Sequence, residues 1–122
     1  MDNENLATEI EQTLLHFTGS EMFYRHAIGN FVYTEGIQYL AEKAQCYWLL
    51  DVIGSYQTGK IKAVPFQLWE LTVNVQNQGV VAMKEDTDEP ELVKQNIPFT
   101  DFPLKSVQLY FIDGTLLLPS EY

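Results

Sequence analysis

The apolar residues of this chain keep one period as far as Ile53 and another from Trp69 onward, and that switch limits the folds open to it. In the first part Leu6, Ile10, Leu14 and Phe17, then Ile37, Leu40, Ala41, Ala44 and Trp48, recur at steps of three or four, the spacing of a helix face. In the second part Trp69, Leu71, Val73 and Val75 alternate with Glu70, Thr72 and Asn74, as in a strand with one buried face. Helices followed by strands, instead of alternating with them, predict an α+β fold. The expected architecture is one domain over residues 1–122, with two or three helices within about 1–57. These would pack on one face of an antiparallel, hairpin-rich sheet of about four or five strands within about 66–119.

Local signals place the boundaries. Asn3 or Asn5 can cap the first helix and Gly19 can end it, while Thr34 can cap the second with Glu35 at its positive end. From Cys46 to Ile53 the apolar residues surround the helix, which implies burial on most sides. "GSYQTGKIKAVP" reads as a loop with Lys60 and Lys62 in solvent, and "NFVYT" as a short strand. "QNQG" is expected to turn the chain back, with Gly79 supplying a positive φ, and Asp113-Gly114 between "VQLYFI" and "TLLL" suits a two-residue type I′ turn.

Charge and cysteine content narrow the functional classes. Seventeen acidic and seven basic residues give a net charge of −10, spread evenly over the two halves. Direct binding to nucleic acid is not expected, because affinity for phosphate backbones comes from Lys and Arg. A basic partner protein would instead be attracted. A lone Cys46 forms no internal disulfide, no signal peptide is read at the start, and the expected compartment is the cytosol. The most apolar stretch, "CYWLLDVIG", has about half of the ~20 residues a membrane span needs, and no membrane association is expected.

Both histidines and the one arginine fall in "HFTGSEMFYRHAIGNFVYTEG", residues 16–36. Tyr24, Arg25 and His26, with Asp51, could bind a nucleotide or other anion through a guanidinium fork, a titratable ring and a stacking face. The alternative is structural, with Arg25 paired to an acid and His26 pinning the loop. Asp51 and His26 could also serve a small hydrolase, although no supporting constellation accompanies them. A metal at His16 and His26 lacks the required ligand spacing, and Cys46 lies where burial would raise its thiol pKa, so neither metal nor catalytic residue nor cofactor is expected. Tyr39, Tyr47, Tyr56 and Trp69 could line a pocket or belong to the core.

The run "EDTDEPE" carries Glu85, Asp86, Asp88, Glu89 and Glu91 without a base and lacks the glycine and ligand alternation of a calcium loop. Its two readings are a solvated loop and a phosphate-mimicking patch that enters a basic groove on a partner.

"HFTG", "YRH", "YTEG", "YWLLD", "SYQ", "IPFTDFPL", "LYFIDG" and "LLLPSEY" together resemble the pattern of a small family of unknown function. That family is found in bacteria, including cyanobacteria, and in phages and plasmids; the resemblance runs from about His16 to Tyr122. It brings no activity with it and implies a mobile-element setting, in which small acidic proteins often bind host machinery. The functional expectation is a non-enzymatic protein-binding factor. It would inhibit a host defence or nucleic-acid-processing complex by steric and electrostatic occlusion.

Overall fold

The computed structural model describes residues 3–19, 21–27 and 29–122. Four helices, α1 (Asn3–Leu14), α2 (Glu35–Lys43), α3 (Tyr47–Ser55) and α4 (Gly59–Lys62), accompany seven strands. The strands are β1 (Phe23–Arg25), β2 (Val32–Thr34), β3 (Phe66–Val73), β4 (Gly79–Lys84), β5 (Glu91–Ile97), β6 (Ser106–Ile112) and β7 (Thr115–Leu117). They form one sheet in the order β1-β2-β7-β6-β3-β4-β5, antiparallel throughout except where β2 and β7 run parallel. The fold is therefore α+β as expected, but the sheet has seven strands instead of four or five.

The two extra pairings explain the difference. β1 lies inside a segment that reads as a connection, and it exists because Phe23, Tyr24 and Arg25 pair with Thr34, Tyr33 and Val32. β7 then joins β2 across most of the chain, with Val32 opposite Thr115 and Tyr33 opposite Leu116. β1 and β2, the strands added to the five within 66–119, are three residues each and too short to display a period of their own.

The apolar run from Ile37 to Ile53 is two helices rather than one. Gln45 adopts a φ of 52°, and Cys46 N–H donates to Ala41 O at 2.9 Å, a Schellman closure that turns the chain between α2 and α3. Thr34 caps α2 as expected, its Oγ1 accepting from Ile37 N–H at 3.3 Å. At α1 the helix closes at Leu14, five residues before Gly19, and Asn5 lies within it and not at its cap, while the Asn3 side chain is outside the described residues. In the β3–β4 turn the positive φ belongs to Asn77 (61°) and not to Gly79, which is buried at the start of β4. Asn74 organises that turn by accepting from the N–H groups of Gln76 and Gln78. Asp113 and Gly114 both have positive φ, as a type I′ turn requires. The expected 54–65 loop contains the single helical turn α4.

Alternation along the strands sends Trp69, Leu71, Val81, Met83, Val93, Leu109 and Phe111 to one sheet face. There they form a single core with Ile10, Ile37, Leu40, Ala41, Leu49, Leu50 and Ile53 of the helices. α3 is not buried all round, since Tyr47, Asp51 and Ser55 make an exposed stripe at steps of four. On the opposite face Leu68 and Ala82 are buried without joining that core, and Phe66, Tyr110 and Tyr122 form a tilted and edge-to-face ring cluster.

Gln67 shares the core face with Trp69 and Leu71 and is fully buried. Its Oε1 accepts from Gln57 Nε2 at 2.8 Å and from the Trp69 indole at 2.9 Å. Its Nε2 donates to Gln57 Oε1 at 3.0 Å and to the Ile61 and Val64 carbonyls at 2.9 and 3.3 Å. This amide ties the α3–α4 segment to β3 and leaves no side-chain polar atom of Gln67 unmatched.

Gln67→Leu removes these partners together and leaves buried donors and acceptors unmet, so urea unfolding is expected to show a loss of about 3 kcal/mol or more. Gln57→Ala, at a half-buried position, should cost about 1–2 kcal/mol by the same measurement.

Candidate functional site

β1 and β2 are joined by a short loop that packs against α3, and this contact brings together two of the four residues proposed for an anion site. His26 Nε2 lies 2.7 Å from Asp51 Oδ1; the ring is largely buried (10% exposed) and the carboxylate largely exposed (67%). On the other side of the ring, Gly29 N–H donates to Nδ1 at 2.6 Å. A backbone N–H can only donate, so Nδ1 accepts and the ring proton sits on Nε2, pointed at Asp51. The ring also stacks on Phe31, with centroids 4.7 Å apart and planes inclined by 13°. Gly29 is the residue this arrangement requires: a Cβ there would lie 2.6 Å from Phe31 Cε1 and 2.8 Å from His26 Nδ1.

Chemically this is a fastening. A general-base histidine keeps one nitrogen lone pair for the proton it removes, with a carboxylate on the other nitrogen. In His26 the one nitrogen that can accept is already occupied by a backbone amide. The geometry holds the loop against α3.

Tyr24 and Arg25 do not join this pair. Successive strand residues point to opposite faces, so Tyr24 stacks on Tyr33, with centroids 5.6 Å apart, while Arg25 faces the other way. Arg25 Nη2 donates to Asn30 Oδ1 at 3.1 Å, and no salt bridge joins it to Asp51 among the described residues. The Tyr24, Arg25, His26 and Asp51 set is therefore split into an exposed amide contact, a ring stack and a histidine–carboxylate pair.

The remaining candidates are dispersed. His16 is exposed just beyond α1, and among the described residues no three His, Cys, Asp or Glu side chains gather as metal ligands would. Tyr39 packs on Phe17, Tyr56 meets Trp69 and donates to Gln95 Oε1 at 2.7 Å, and Tyr47 is exposed and donates to Glu42. Burial pushes the Tyr33 hydroxyl above its ordinary pKa, with Tyr24 beside it adding to the effect. Glu85, Asp86, Asp88, Glu89 and Glu91 are all exposed on the β4–β5 hairpin, and none makes a salt bridge among the described residues. Within that turn Asp86 Oδ1 accepts from Thr87 N–H at 2.6 Å.

Glu121 was not a sequence candidate, yet it closes the fold's second polar junction. Its carboxylate accepts from Thr34 Oγ1 at 2.6 Å, Leu118 N–H at 3.0 Å and Gly36 N–H at 3.4 Å, which places it at the positive end of α2. A Cβ at Gly36 would come within 2.6 Å of Leu118 Cδ1 and 2.7 Å of Glu121 Oε1, so the close approach requires glycine.

Cys46 is fully buried, its thiol directed at Leu40 O at 3.7 Å, and burial pushes its pKa from 9.0 up to about 12. The folded state thus holds this proton more tightly than the unfolded state. The resulting stability is complete below about pH 9 and is lost as pH rises from there to about 12. Urea unfolding should show a decline above pH 9 of up to about 1.4 kcal/mol per unit from this group, shallower in Cys46→Ala. Thiol reagents should label Cys46 only on unfolding.

Among the described residues the His26 ring meets Asp51, Gly29 N–H and Phe31, whereas the largely exposed Asp51 carboxylate meets the His26 ring. His26→Ala should therefore cost about 1–2 kcal/mol and Asp51→Ala about 0.5 kcal/mol, the latter reduced by solvent screening. A double-mutant cycle should give a coupling of about 0.5 kcal/mol.

No curated protein and no solved structure matches this chain. Residues 8–122 match a family of unknown function, DUF6876, a span that takes in the His26–Asp51 fastening, the Gln57–Gln67 amide pair and the Glu121 junction. The chain therefore belongs to the DUF6876 family.

Proposed function

We propose that this chain is a small acidic protein-binding factor, without enzymatic activity, that covers a basic protein of a host defence or nucleic-acid-processing complex. The observation that supports the reading is the composition of one surface. The β4–β5 hairpin exposes Glu85, Asp86, Asp88, Glu89 and Glu91, and its Thr87 shares a depression with Leu68, Glu70, Ala82, Lys84 and Gln108 on the sheet face away from the helices. On that face stand Phe66, Tyr110 and Tyr122, so carboxylates flank an aromatic surface.

Such a surface suits a basic partner for two reasons. A net charge of −10 accelerates encounter with a cationic protein and discourages direct contact with nucleic acid. Rim charges alone add little affinity, so the rings would act as anchors after the charges have aligned the partner. No helix among the described residues is long and apolar enough to cross a membrane. The setting proposed is the cytoplasm of a bacterium carrying a phage or other mobile element.

Affinity capture from bacterial lysate, compared at low and high salt, tests the reading. A basic nucleic-acid-binding protein should be retained at low salt, lost at high salt, and lost when Glu85, Asp88 and Glu89 are replaced together by Lys. Retention that ignores both salt and charge reversal would reject the proposal.

A further inference from the structure

The β1–β2 loop, the end of α4 and the β6–β7 turn enclose a cleft of about 160 Å³. Gly29, Asn30 and Phe31 line it from the loop, Lys62 from α4, and Phe111 and Gly114 from β6 and the turn. We propose that this cleft binds a small aromatic carboxylate, its ring against Phe31 and Phe111 and its carboxylate held by Lys62 and Asn30. The proposal is independent of the protein-binding reading.

The apolar part is packed from behind, with Phe31 and Phe111 each leaving only an edge exposed. Phe31 and Phe111 meet at an angle of 67° with centroids 5.4 Å apart, and Phe31 is backed by the His26 ring. His26 is itself held by Gly29 N–H and Asp51. The histidine–carboxylate fastening thus fixes one wall of the cleft, and preorganisation of this kind lowers the entropic cost of binding.

The polar part selects an acceptor. Gln57 also reaches the cleft, but its amide is committed to Gln67 and to Ile53 O, so it offers the ligand little. Asn30 Oδ1 accepts from Arg25, which leaves the Asn30 NH2 as the group available to a ligand. Lys62 is exposed and makes no salt bridge among the described residues. Both available side-chain groups are donors and one is cationic, which favours an anionic acceptor. Asn30 has a φ of 55°, a conformation asparagine adopts more readily than most residues, and the Arg25 bond holds its side chain.

Size sets the class. Clefts for drug-sized ligands occupy about 300–1,000 Å³, so a cleft of about 160 Å³ suits a ligand the size of a single ring with its substituent. An anion site in this region therefore belongs to Lys62 and Asn30, with Arg25 and His26 as supports.

Amide chemical-shift titration of the whole chain with benzoate, and with benzyl alcohol as its neutral counterpart, tests the proposal. Benzoate should saturate with a Kd of about 1 mM or tighter and shift the amides of Gly29, Asn30 and Gly114. Benzyl alcohol, and benzoate with Lys62→Met, should each bind at least about tenfold more weakly. Lys62 is exposed, so the variant leaves the core intact. Absence of saturation, shifts centred elsewhere, or equal affinity for the neutral probe or the variant would overturn it.

Discussion

The buried amide of Gln67 is the constraint on which the rest of the fold depends. Apolar packing alone would let the helical half slide over the sheet, since burial of hydrocarbon has no direction. A fully buried amide with two N–H donors on its oxygen and two backbone carbonyls on its nitrogen has one satisfying placement, because each unmet partner costs free energy. Gln57, Ile61 and Val64 are thereby fixed over β3, and with them the path of the chain from α3 through α4 to the sheet.

Two further polar junctions complete the attachment at other points. Glu121 binds the last turn of the chain to the start of α2, which holds β7 beside β2 and makes their parallel pairing possible. His26 and Asp51 bind the β1–β2 loop to α3. Both junctions need a glycine at the closest approach, Gly36 in the first and Gly29 in the second. A histidine next to a carboxylate invites a catalytic reading, but the amide on its other nitrogen gives it a structural task. The same fixed loop forms one wall of the cleft lined by Asn30, Phe31 and Lys62.

Features that depend on neighbouring residues were readable from the sequence. The change of hydrophobic period located the helical and sheet parts, Thr34 announced the cap of α2, and Asp113-Gly114 announced the tightest hairpin. Features that depend on distant partners were not. Thr34 and Glu121 are 87 positions apart, and β1 is three residues long, so neither the carboxylate's role nor the strand leaves a local pattern. The positive φ of the β3–β4 turn falls on Asn77 and not on Gly79 because asparagine tolerates that conformation and Asn74 organises the turn around it. Gln67 did leave a trace: it stands two residues before Trp69 and so falls on the core face, where a polar side chain must find partners. At the candidate site, strand alternation was enough to separate Tyr24 from Arg25 once β1 was known.

Hydrogen exchange of the Gln67 side-chain NH2 and the Trp69 indole N–H, followed as a function of denaturant, addresses the role of the buried amide most directly. If Gln67 locks the two halves together, both groups exchange only through global unfolding, with the free energy and denaturant dependence of the whole molecule. Exchange at a much lower free energy, with little denaturant dependence, would mean that the α3–α4 segment opens while the sheet stays folded, and would contradict that role.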